Sequence, residues 1–330
     1  MQAQILRQCA VAAMASFFGL GALVAPSASQ AQEAWPSKPI RWVVPYAAGG
    51  TSDILSRRIA HKLSERLGQP ILIDNKTGAG GNIGTDFVAK SPPDGYTWVL
   101  GNFGPISVNP SLYANLPYDP QKDLVPITLL MAYANVLLVN PTFGPTTVKG
   151  LIEAAREKPI FYAGNGVGTS LHLTGELFAR SAGVRFTHVP YKGGPPGLND
   201  AMAGVVPMAI DPVSTALPLV KSGRLLAVAV TSTERSPLMP DVPTVAESGL
   251  PNFEVTGWVG VLVPRGTPEP VVQRLVKEFT AIMQLPEFKQ VVDEMGSFVP
   301  PLGPEHFARF IRSETAKWHD VVRDANLKAN

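Results

Sequence analysis

Residues 40–53 read IRWVVPYAAGGTSD and contain the pattern that decides the fold. The β-branched and aromatic run Ile40–Val44 predicts a short strand, which the following proline and glycine pair end. From Asp53 to Leu67 a leucine or isoleucine recurs every four residues until Gly68, and this is the spacing of one buried helix face. The stretch therefore predicts a strand, a glycine loop and an amphipathic helix.

The same order recurs along the chain and predicts an α/β fold. Short apolar runs lead into glycine-rich loops at TGAGGNIGT (77–85), GNFG (101–104) and GNGVGTSLHL (164–173). The run Val205–Ile210 leads into Asp211-Pro212 and another predicted helix. The phrase VPYAAGG (44–50) also returns as VPYKGG (189–194), either as a trace of two similar halves or by chance. If the strands are parallel, their loops gather at one edge of the sheet.

Chain length and two exceptional segments predict two domains. The chain has 330 residues, and domains usually have roughly 100–200 residues. Ile127–Val139 and Phe253–Val263 resemble strands but lack a glycine loop, so we expect the chain to cross between domains there. This gives a discontinuous first domain, 32–132 with 255–330, and a second domain, 133–254.

Composition excludes several classes of protein. Hydrophobic residues make up 45% of the chain and the mean hydropathy is +0.11, which is enough apolar material for full-sized cores. Disorder, a coiled coil and a disulfide scaffold are therefore excluded. The net charge of +2 provides no large field for nucleic acid or an anionic membrane.

Residues 1–31 predict a secretory signal peptide. One charge, Arg7, precedes an apolar stretch from Cys9 to Ala25, and small residues then lead to a predicted cleavage site after Ala31. A retained membrane anchor is the alternative, because ~17–25 apolar residues can span a bilayer. Cleavage would remove Cys9, the only cysteine, and leave an exported chain without thiol or disulfide chemistry.

The motifs of common enzyme and cofactor classes are missing from the sequence. It contains no G-x-S-x-G elbow, no H-E-x-x-H pair and no Walker A loop. The histidines have no partner four residues away, which disfavours a histidine metal site. The spacing of Gly78, Gly80 and Gly84 misses the dinucleotide fingerprint. We therefore expect no catalytic residue, no metal and no cofactor.

Three glycine loops predict anion binding at helix N-termini. Such a terminus offers unpaired backbone N–H groups and the positive end of the helix dipole. The loops are Gly49–Ser52, Gly80–Asn82 and Gly166–Ser170, each with hydroxyl or amide side chains. A tight turn with a Ser or Thr cap is the structural alternative for each of them.

Polar residues beside these loops have two interpretations each. Asp211 either caps a helix that begins at Pro212, or accepts a hydrogen bond from a ligand ammonium or hydroxyl. His172, in the first turn after Thr169, either donates to an anion or packs in the core. Asp53 is interpreted as a first-turn acid favoured by the helix dipole.

Six motifs follow one another along the whole mature chain. They are PSKPIRWVVPYAAGGTSD (36–53), TGAGGNIG (77–84), PPDGYTWVLGNFGPISVNPSLY (92–113), GNGVGTSLHLTGELF (164–178), HVPYKGGPPGLNDAMAG (188–204) and DVPTVAESGLP (241–251). In this order they resemble the Bug receptor family, the extracytoplasmic solute-binding proteins of tripartite tricarboxylate transporters. The resemblance implies a type II periplasmic-binding-protein-like fold, in which two α/β domains flank a ligand cleft.

The resemblance also implies which residues bind the ligand. A carboxylate-bearing solute would be held by one loop from each domain, Tyr46–Ser52 and Gly166–His172, through backbone N–H groups, hydroxyls and bridging waters. The stretch Asn102–Ser107 and Asp211 would complete the wall. The expected ligand-binding residues are Tyr46, Ala48, Gly49, Gly50, Thr51, Ser52, Asn102, Phe103, Gly168, Thr169, Ser170, His172 and Asp211.

The resulting hypothesis is a periplasmic solute-binding protein that captures a small carboxylate-bearing metabolite for a tripartite tricarboxylate-type transporter. Its expected partners are that ligand and the membrane subunits of the transporter, without nucleic acid, and we expect a monomer. A periplasmic ligand sensor for a two-component system is the first alternative. A small-molecule hydrolase is the second, disfavoured by the missing nucleophile and base.

Overall fold

The computed structural model describes residues 35–299, 301–324 and 327–329, so the predicted signal peptide and Cys9 lie outside the described residues. Within these ranges, no helix combines the length and the apolar character that a membrane span requires. The strands are β1 (Ile40–Val44), β2 (Ile71–Asn75), β3 (Thr97–Asn102), β4 (Leu124–Val139), β5 (Ile160–Asn165), β6 (Phe186–Tyr191), β7 (Met208–Pro212), β8 (Leu226–Val230), β9 (Thr256–Pro264) and β10 (Ser297–Phe298).

Helices follow most of the strands, as the predicted alternation requires. They are α1 (Thr51–Leu67), α2 (Asn82–Ala89), α3 (Asn109–Leu112), α4 (Pro120–Asp123), α5 (Val148–Glu157), α6 (Ser170–Ala182), α7 (Gly194–Met202), α8 (Val213–Lys221), α9 (Glu269–Met283), α10 (Pro286–Glu294) and α11 (Pro304–Asp324). Strand β1 has the predicted bounds, and α1 begins at Thr51, two residues before the predicted start at Asp53. The α/β prediction is confirmed.

The strands form one sheet in the order β2-β1-β3-β9-β4-β7-β5-β6, with β8 and β10 also paired to β4. Strands β1, β2 and β3 run parallel, as do β5, β6 and β7. Strand β9 is antiparallel to both β3 and β4, and β7 is antiparallel to β4. The sheet therefore contains two parallel groups separated by the antiparallel strands β4 and β9.

Strand β4 is 16 residues long and serves both groups. Its part from Leu124 to Ala134 pairs with β9, and its part from Asn135 to Val139 pairs with β7 and β8. The two segments predicted to cross between domains thus lie largely in β4 and β9. The domain boundaries themselves stay a prediction.

Aromatic side chains fill the core beneath the first parallel group and beneath the final helix. Trp42, Trp98 and Phe279 meet edge to face, with ring centroids 5.7 to 6.2 Å apart. Trp318 of α11 packs at 4.8 Å on Phe103, which follows β3 directly. Because both partners are almost fully buried, α11 fixes the residue that closes one wall of the site described below.

The capping interpretation of Asp211 is wrong. Asp211 lies within β7, opposite Val136 of β4, and the extended backbone continues through Pro212. Pro212 is the residue at the N-cap of α8, which begins at Val213. Pairing with β4 holds this segment in the sheet, so the side chain of Asp211 points from the end of a strand instead of capping a helix.

Candidate functional site

A cavity of about 40 Å³ lies where the carboxyl ends of β1, β3, β5 and β7 meet the N-terminal ends of four helices, α1, α6, α7 and α8. At ~10–15 Å³ per ordered water, this volume matches a few waters or one small polar group. The residues around it are Tyr46, Ala47, Gly50, Thr51, Ser52, Asn102, Phe103, Gly104, Tyr133, Asn165, Thr169, Ser170, Leu171, Gly193, Gly194, Asp211, Pro212 and Thr215.

An ion pair braces the loop before α1. The Gly49 N–H donates to Asp53 Oδ2 at 2.9 Å, and Arg57 and the Asn75 amide donate to the same carboxylate at 3.0 Å. Burial acts to raise the pKa of Asp53, but the hydrogen bonds from Arg57, Gly49 and Asn75 outweigh it and lower that pKa. Asp53 therefore holds the loop while Arg57 neutralises it, and it does not line the cavity.

Hydroxyl groups at the start of α1 face the cavity. Thr51 Oγ1 lies 2.8 Å from Ser214 Oγ on α8, and the Asn102 amide donates to Ser52 Oγ at 3.4 Å. Thr51 and Ser52 are also the first helical residues of α1, so their backbone N–H groups belong to the unpaired first turn. This end of the cavity offers donors without a cation.

The loop before α6 is held by neutral groups. Thr169 caps α6: its Oγ1 accepts the His172 N–H at 3.4 Å and donates to the Gly166 carbonyl at 2.9 Å. The capping interpretation is confirmed for this loop. Thr169 and Ser170 also line the cavity, so the cap and the cavity wall share the same residues.

His172 packs in the core behind that loop. Its ring lies 4.7 Å from the ring of His188, and its Nδ1 accepts the Gly168 N–H at 3.2 Å. Burial lowers the pKa of His172 to about 3, with help from His188, and burial lowers the pKa of His188 to about 4. His172 is therefore neutral at pH 7, and the core interpretation of this residue is confirmed.

The cavity brings together most of the expected ligand-binding residues. Four of them do not line it: Ala48, Gly49, Gly168 and His172. Ala48 and Gly49 form the exposed tip of their loop, while the other two lie behind the cavity wall.

The loop at Gly80–Asn82, expected as a third anion site, does not line this cavity. At Gly80, φ is +64° and a Cβ would overlap the Val167 carbonyl, so only glycine fits there. This loop packs against the loop before α6 and borders a separate groove.

Several cavity residues were missed by the sequence analysis. Gly193 and Gly194 at the start of α7 belong to the repeated phrase VPYKGG, and the Ala47 N–H donates to the Lys192 carbonyl at 3.3 Å, so the two copies of the phrase are neighbours. The repeat was the available signal. No sequence pattern indicated Tyr133, because it lies inside the apolar strand β4. On the neighbouring strand β9, Gly257 lies opposite Tyr133 and leaves space for its ring.

The electrostatics of the cavity combine neutral donors with one buried acid. Burial, with a contribution from Asp211, raises the pKa of Tyr133 to about 12, and burial raises that of Tyr46 further, so both phenols keep their protons. Burial also raises the pKa of Asp211 to about 7, against the hydrogen bond from Thr215. Among the described residues, no Lys, Arg or His lines the cavity, and no cluster of His, Cys, Asp or Glu could hold a metal ion.

Known proteins share this architecture over nearly the whole chain. The family model described as "Tripartite tricarboxylate transporter family receptor" matches residues 55–327. "Protein BugT" of Bordetella pertussis is 33% identical over 321 residues, which cover 96% of this chain and 98% of that protein.

Solved structures agree in fold and in class. One described as "R. palustris Rpa4515 with adipate" is 37% identical, has a TM-score of 0.85 and covers 89% of this chain and 99% of its own. The "periplasmic binding protein BugD" is 35% identical, has a TM-score of 0.86 and covers 90% of this chain and 100% of its own. "MatC (Rpa3494) from Rhodopseudomonas palustris with bound malate" is 33% identical, has a TM-score of 0.83 and covers 87% of this chain and 99% of its own. The chain therefore belongs to the tripartite tricarboxylate transporter receptor family, which includes the Bug receptors, and has the α/β fold of its periplasmic binding proteins.

Proposed function

We propose that the chain captures a small carboxylate-bearing metabolite in the periplasm and delivers it to the membrane subunits of a tripartite tricarboxylate-type transporter. The observation that carries the proposal is the meeting of four helix N-termini around one cavity. Each N-terminus contributes a partial positive charge, and the first turns of α1 and α6 also contribute unpaired N–H groups, whereas Pro195 and Pro196 remove two N–H groups from the first turn of α7. Together the four N-termini favour a bound anion without an arginine. Adipate and malate in two related structures support a carboxylate as that anion.

The ligand-binding residues in this proposal are those expected residues that line the cavity. The hydroxyls of Thr51, Ser52 and Ser170 would donate to the carboxylate together with the first N–H groups of α1 and α6, while Thr169, whose hydroxyl donates to the Gly166 carbonyl, would position its loop against the ligand. Because all four side chains are almost fully buried, a ligand beside them would be largely withdrawn from water. That arrangement suits a small metabolite.

We further propose that residues 32–132 with 255–330 and residues 133–254 form two domains that close on the ligand. The contacts between Thr51 and Ser214 and between Ala47 and Lys192 support it, since each joins one predicted domain to the other. A ligand bound to both would stabilise the closed arrangement over an open one. The predicted signal peptide supports export to the periplasm.

Thermal-shift screening of the mature chain against mono-, di-, tricarboxylic and aromatic acids tests the proposal. An acid at a hundred times its Kd stabilises the folded state by about 2.7 kcal/mol, which raises the melting temperature visibly. The hit should be recovered chemically unchanged, as expected for a receptor. Consumption of the hit would favour a hydrolase, and silence across the panel on protein unfolded and refolded to remove co-purified ligand would refute carboxylate binding.

The transport role needs its own measurement. Cells that lack this chain should lose uptake of the radiolabelled hit, and a copy with an intact cavity should restore it. Normal uptake together with lost induction of ligand-responsive genes would instead identify a sensor.

A further inference from the structure

Among the described residues that line the cavity, Asp211 is the only one with an acidic side chain. It is 2% exposed, and its Oδ2 accepts the hydroxyl of Thr215 on α8. Its Oδ1 lies so close to the start of α7 that a Cβ on Gly194 would be 2.5 Å away. The carboxyl group is therefore held in one position against the cavity, without a cationic partner.

A second acceptor stands beside Asp211. Strands β5 and β7 pair in parallel with Ala163 opposite Ala209, and continuing this register places Asn165 next to Asp211. Both residues line the cavity. In the described part of the chain, the Asn165 Oδ1 is buried without a hydrogen-bond partner. A buried acceptor without a donor is costly, so this end of the cavity fits a group that supplies donors.

The opposite end is richer in donors, although Asn102 Oδ1 there is also a buried acceptor without a partner among the described residues. The N-termini of α1 and α6 present N–H groups and the hydroxyls of Thr51, Ser52 and Ser170. A ligand that satisfies both ends has a carboxylate at one end and a donor or cation at the other. The small cavity keeps the two groups close together.

We propose that Asp211 and Asn165 receive the ammonium group of the ligand, so that the site selects an amino acid over the matching hydroxy acid and unsubstituted acid. This inference rests on the proposed function and names the substrate class of the same site. An ammonium neutralises the buried Asp211 carboxylate and donates to both acceptors. A hydroxyl donates one bond without charge, and a second carboxylate in its place would be repelled.

Calorimetric titration with aspartate, malate and succinate tests the selection, because the three acids differ only in an ammonium, a hydroxyl or a hydrogen on one carbon. Alanine, lactate and propionate repeat the comparison on a shorter skeleton. At pH 8 the amino acid of one series should bind at least tenfold more tightly than its unsubstituted counterpart, with the hydroxy acid between them. Equal affinities within a series would overturn the inference and leave carboxylate binding intact.

The Asp211→Asn variant makes the same comparison from the side of the protein. It should weaken the amino acid at least tenfold and leave the unsubstituted acid as tight or tighter. The matched control is Asp200→Asn on α7, where the carboxylate accepts the Tyr191 hydroxyl at 2.6 Å away from the cavity and its loss should change neither affinity. An Asp211→Asn variant that melts like the wild type and binds the amino acid within twofold of it would contradict the inference.

The pH dependence of ligand affinity distinguishes a failure of this inference from a failure of the proposed function. The groups packed around Asp211 are Tyr133 of β4, Asn165 of β5, Gly194 of α7 and Thr215 of α8, and the one that titrates, Tyr133, does so far above neutrality. Succinate should therefore bind more weakly at pH 8 than at pH 6 as Asp211 ionises. Aspartate should bind more tightly over the same range, because its ammonium group pairs with the ionised carboxylate. Parallel curves would refute the inference alone. If the full acid panel and both series fail to bind the wild type, the proposed function and this inference fall together.

Discussion

The two loops that donate to the cavity do the same task with opposite chemistry. The loop before α1 is held by charges: Asp53, with Arg57 and Asn75, binds the Gly49 N–H. The loop before α6 is held by neutral groups: Thr169 caps the helix, and His172 accepts the Gly168 N–H. A loop that presents N–H groups at a helix N-terminus can therefore be positioned either by a neutralised ion pair or by neutral groups, including an unprotonated imidazole.

Because different groups hold the two loops, we expect the loops to lose their stabilisation at different pH values. Asp53 has a lowered pKa, so its stabilisation is present above the ordinary carboxyl range and is lost only as pH falls below it. His172 and His188 have lowered pKa values, so their neutral forms favour folding above about 6.5, and that contribution declines as pH falls toward 3 to 4. Mild acid thus weakens the second loop and spares the first.

The largest expected effect is this acid loss of stability. Between pH 6.5 and pH 4, His172 alone should lower the free energy of unfolding by up to about 3 kcal/mol, because protonation is favoured only in the unfolded chain. Glu176, 3.6 Å from His172, gives little compensation, since burial raises its own pKa. Urea unfolding across this range measures the slope. His172→Asn should flatten it and the exposed His319→Asn should not; identical slopes in all three proteins would be inconsistent with this account.

The second largest expected effect comes from removing the ion pair between Asp53 and Arg57. Asp53→Ala should cost about 2 kcal/mol of unfolding free energy, because a buried carboxylate that accepts several hydrogen bonds is lost. The loop is also released, so ligand affinity should fall. Asp293→Ala removes an exposed pair with Lys289 at 2.6 Å, worth about 0.3–0.5 kcal/mol, and serves as the control. Equal costs for the two variants would show that Asp53 does not brace the loop.

Loss of the neutral cap is smaller. Thr169→Ala should cost about 1 kcal/mol of stability and weaken ligand binding several-fold, since the same hydroxyl caps α6 and lines the cavity. Thr147→Ala removes the corresponding cap of α5, where Oγ1 accepts the Gly150 N–H at 3.1 Å. That control should lose similar stability and keep full affinity. Unchanged affinity in a folded Thr169→Ala protein would remove Thr169 from the site.

The smallest expected effect comes from giving α1 a side-chain N-cap like the one that Thr169 provides for α6. Gly50 is the N-cap of α1 and has extended backbone angles that serine accepts. Gly50→Ser should gain a few tenths of a kcal/mol in stability, yet weaken ligand binding, because its side chain enters the cavity wall. Gly50→Ala, which adds the Cβ without a cap, should lose affinity without that gain. Thermal melting and calorimetry read the two effects separately.

The sequence predicted the parts of the fold and site that depend on neighbouring residues. Ile40–Val44 is a strand, glycines follow it, and α1 ends at Leu67 before Gly68, because strand propensity, turn chemistry and helix periodicity act locally. The same locality made Thr169 recognisable as a cap. Donor loops at the ends of parallel strands were predictable for this reason.

Pairing between distant strands determined what the sequence alone left undecided. Asp211 looked like a cap because a proline follows it, but its pairing with Val136 keeps it in β7. His172 was equally compatible with ligand and core, and His188, 16 positions later, decides for the core. Tyr133 reaches the cavity only because β4 meets Gly257 of β9. These outcomes depend on contacts between residues that are far apart in the sequence, and a pattern of neighbouring residues does not specify them.

The central claim is that helix N-termini and neutral donors bind a carboxylate in this cavity. Calorimetric titration of the mature chain with the acid found by screening, and with its primary amide at the same carboxyl, tests this most directly, because the pair differs in charge and hardly in shape. The account predicts that the amide binds at least tenfold more weakly, a loss of about 1.4 kcal/mol. An amide that binds as tightly as the acid would contradict it.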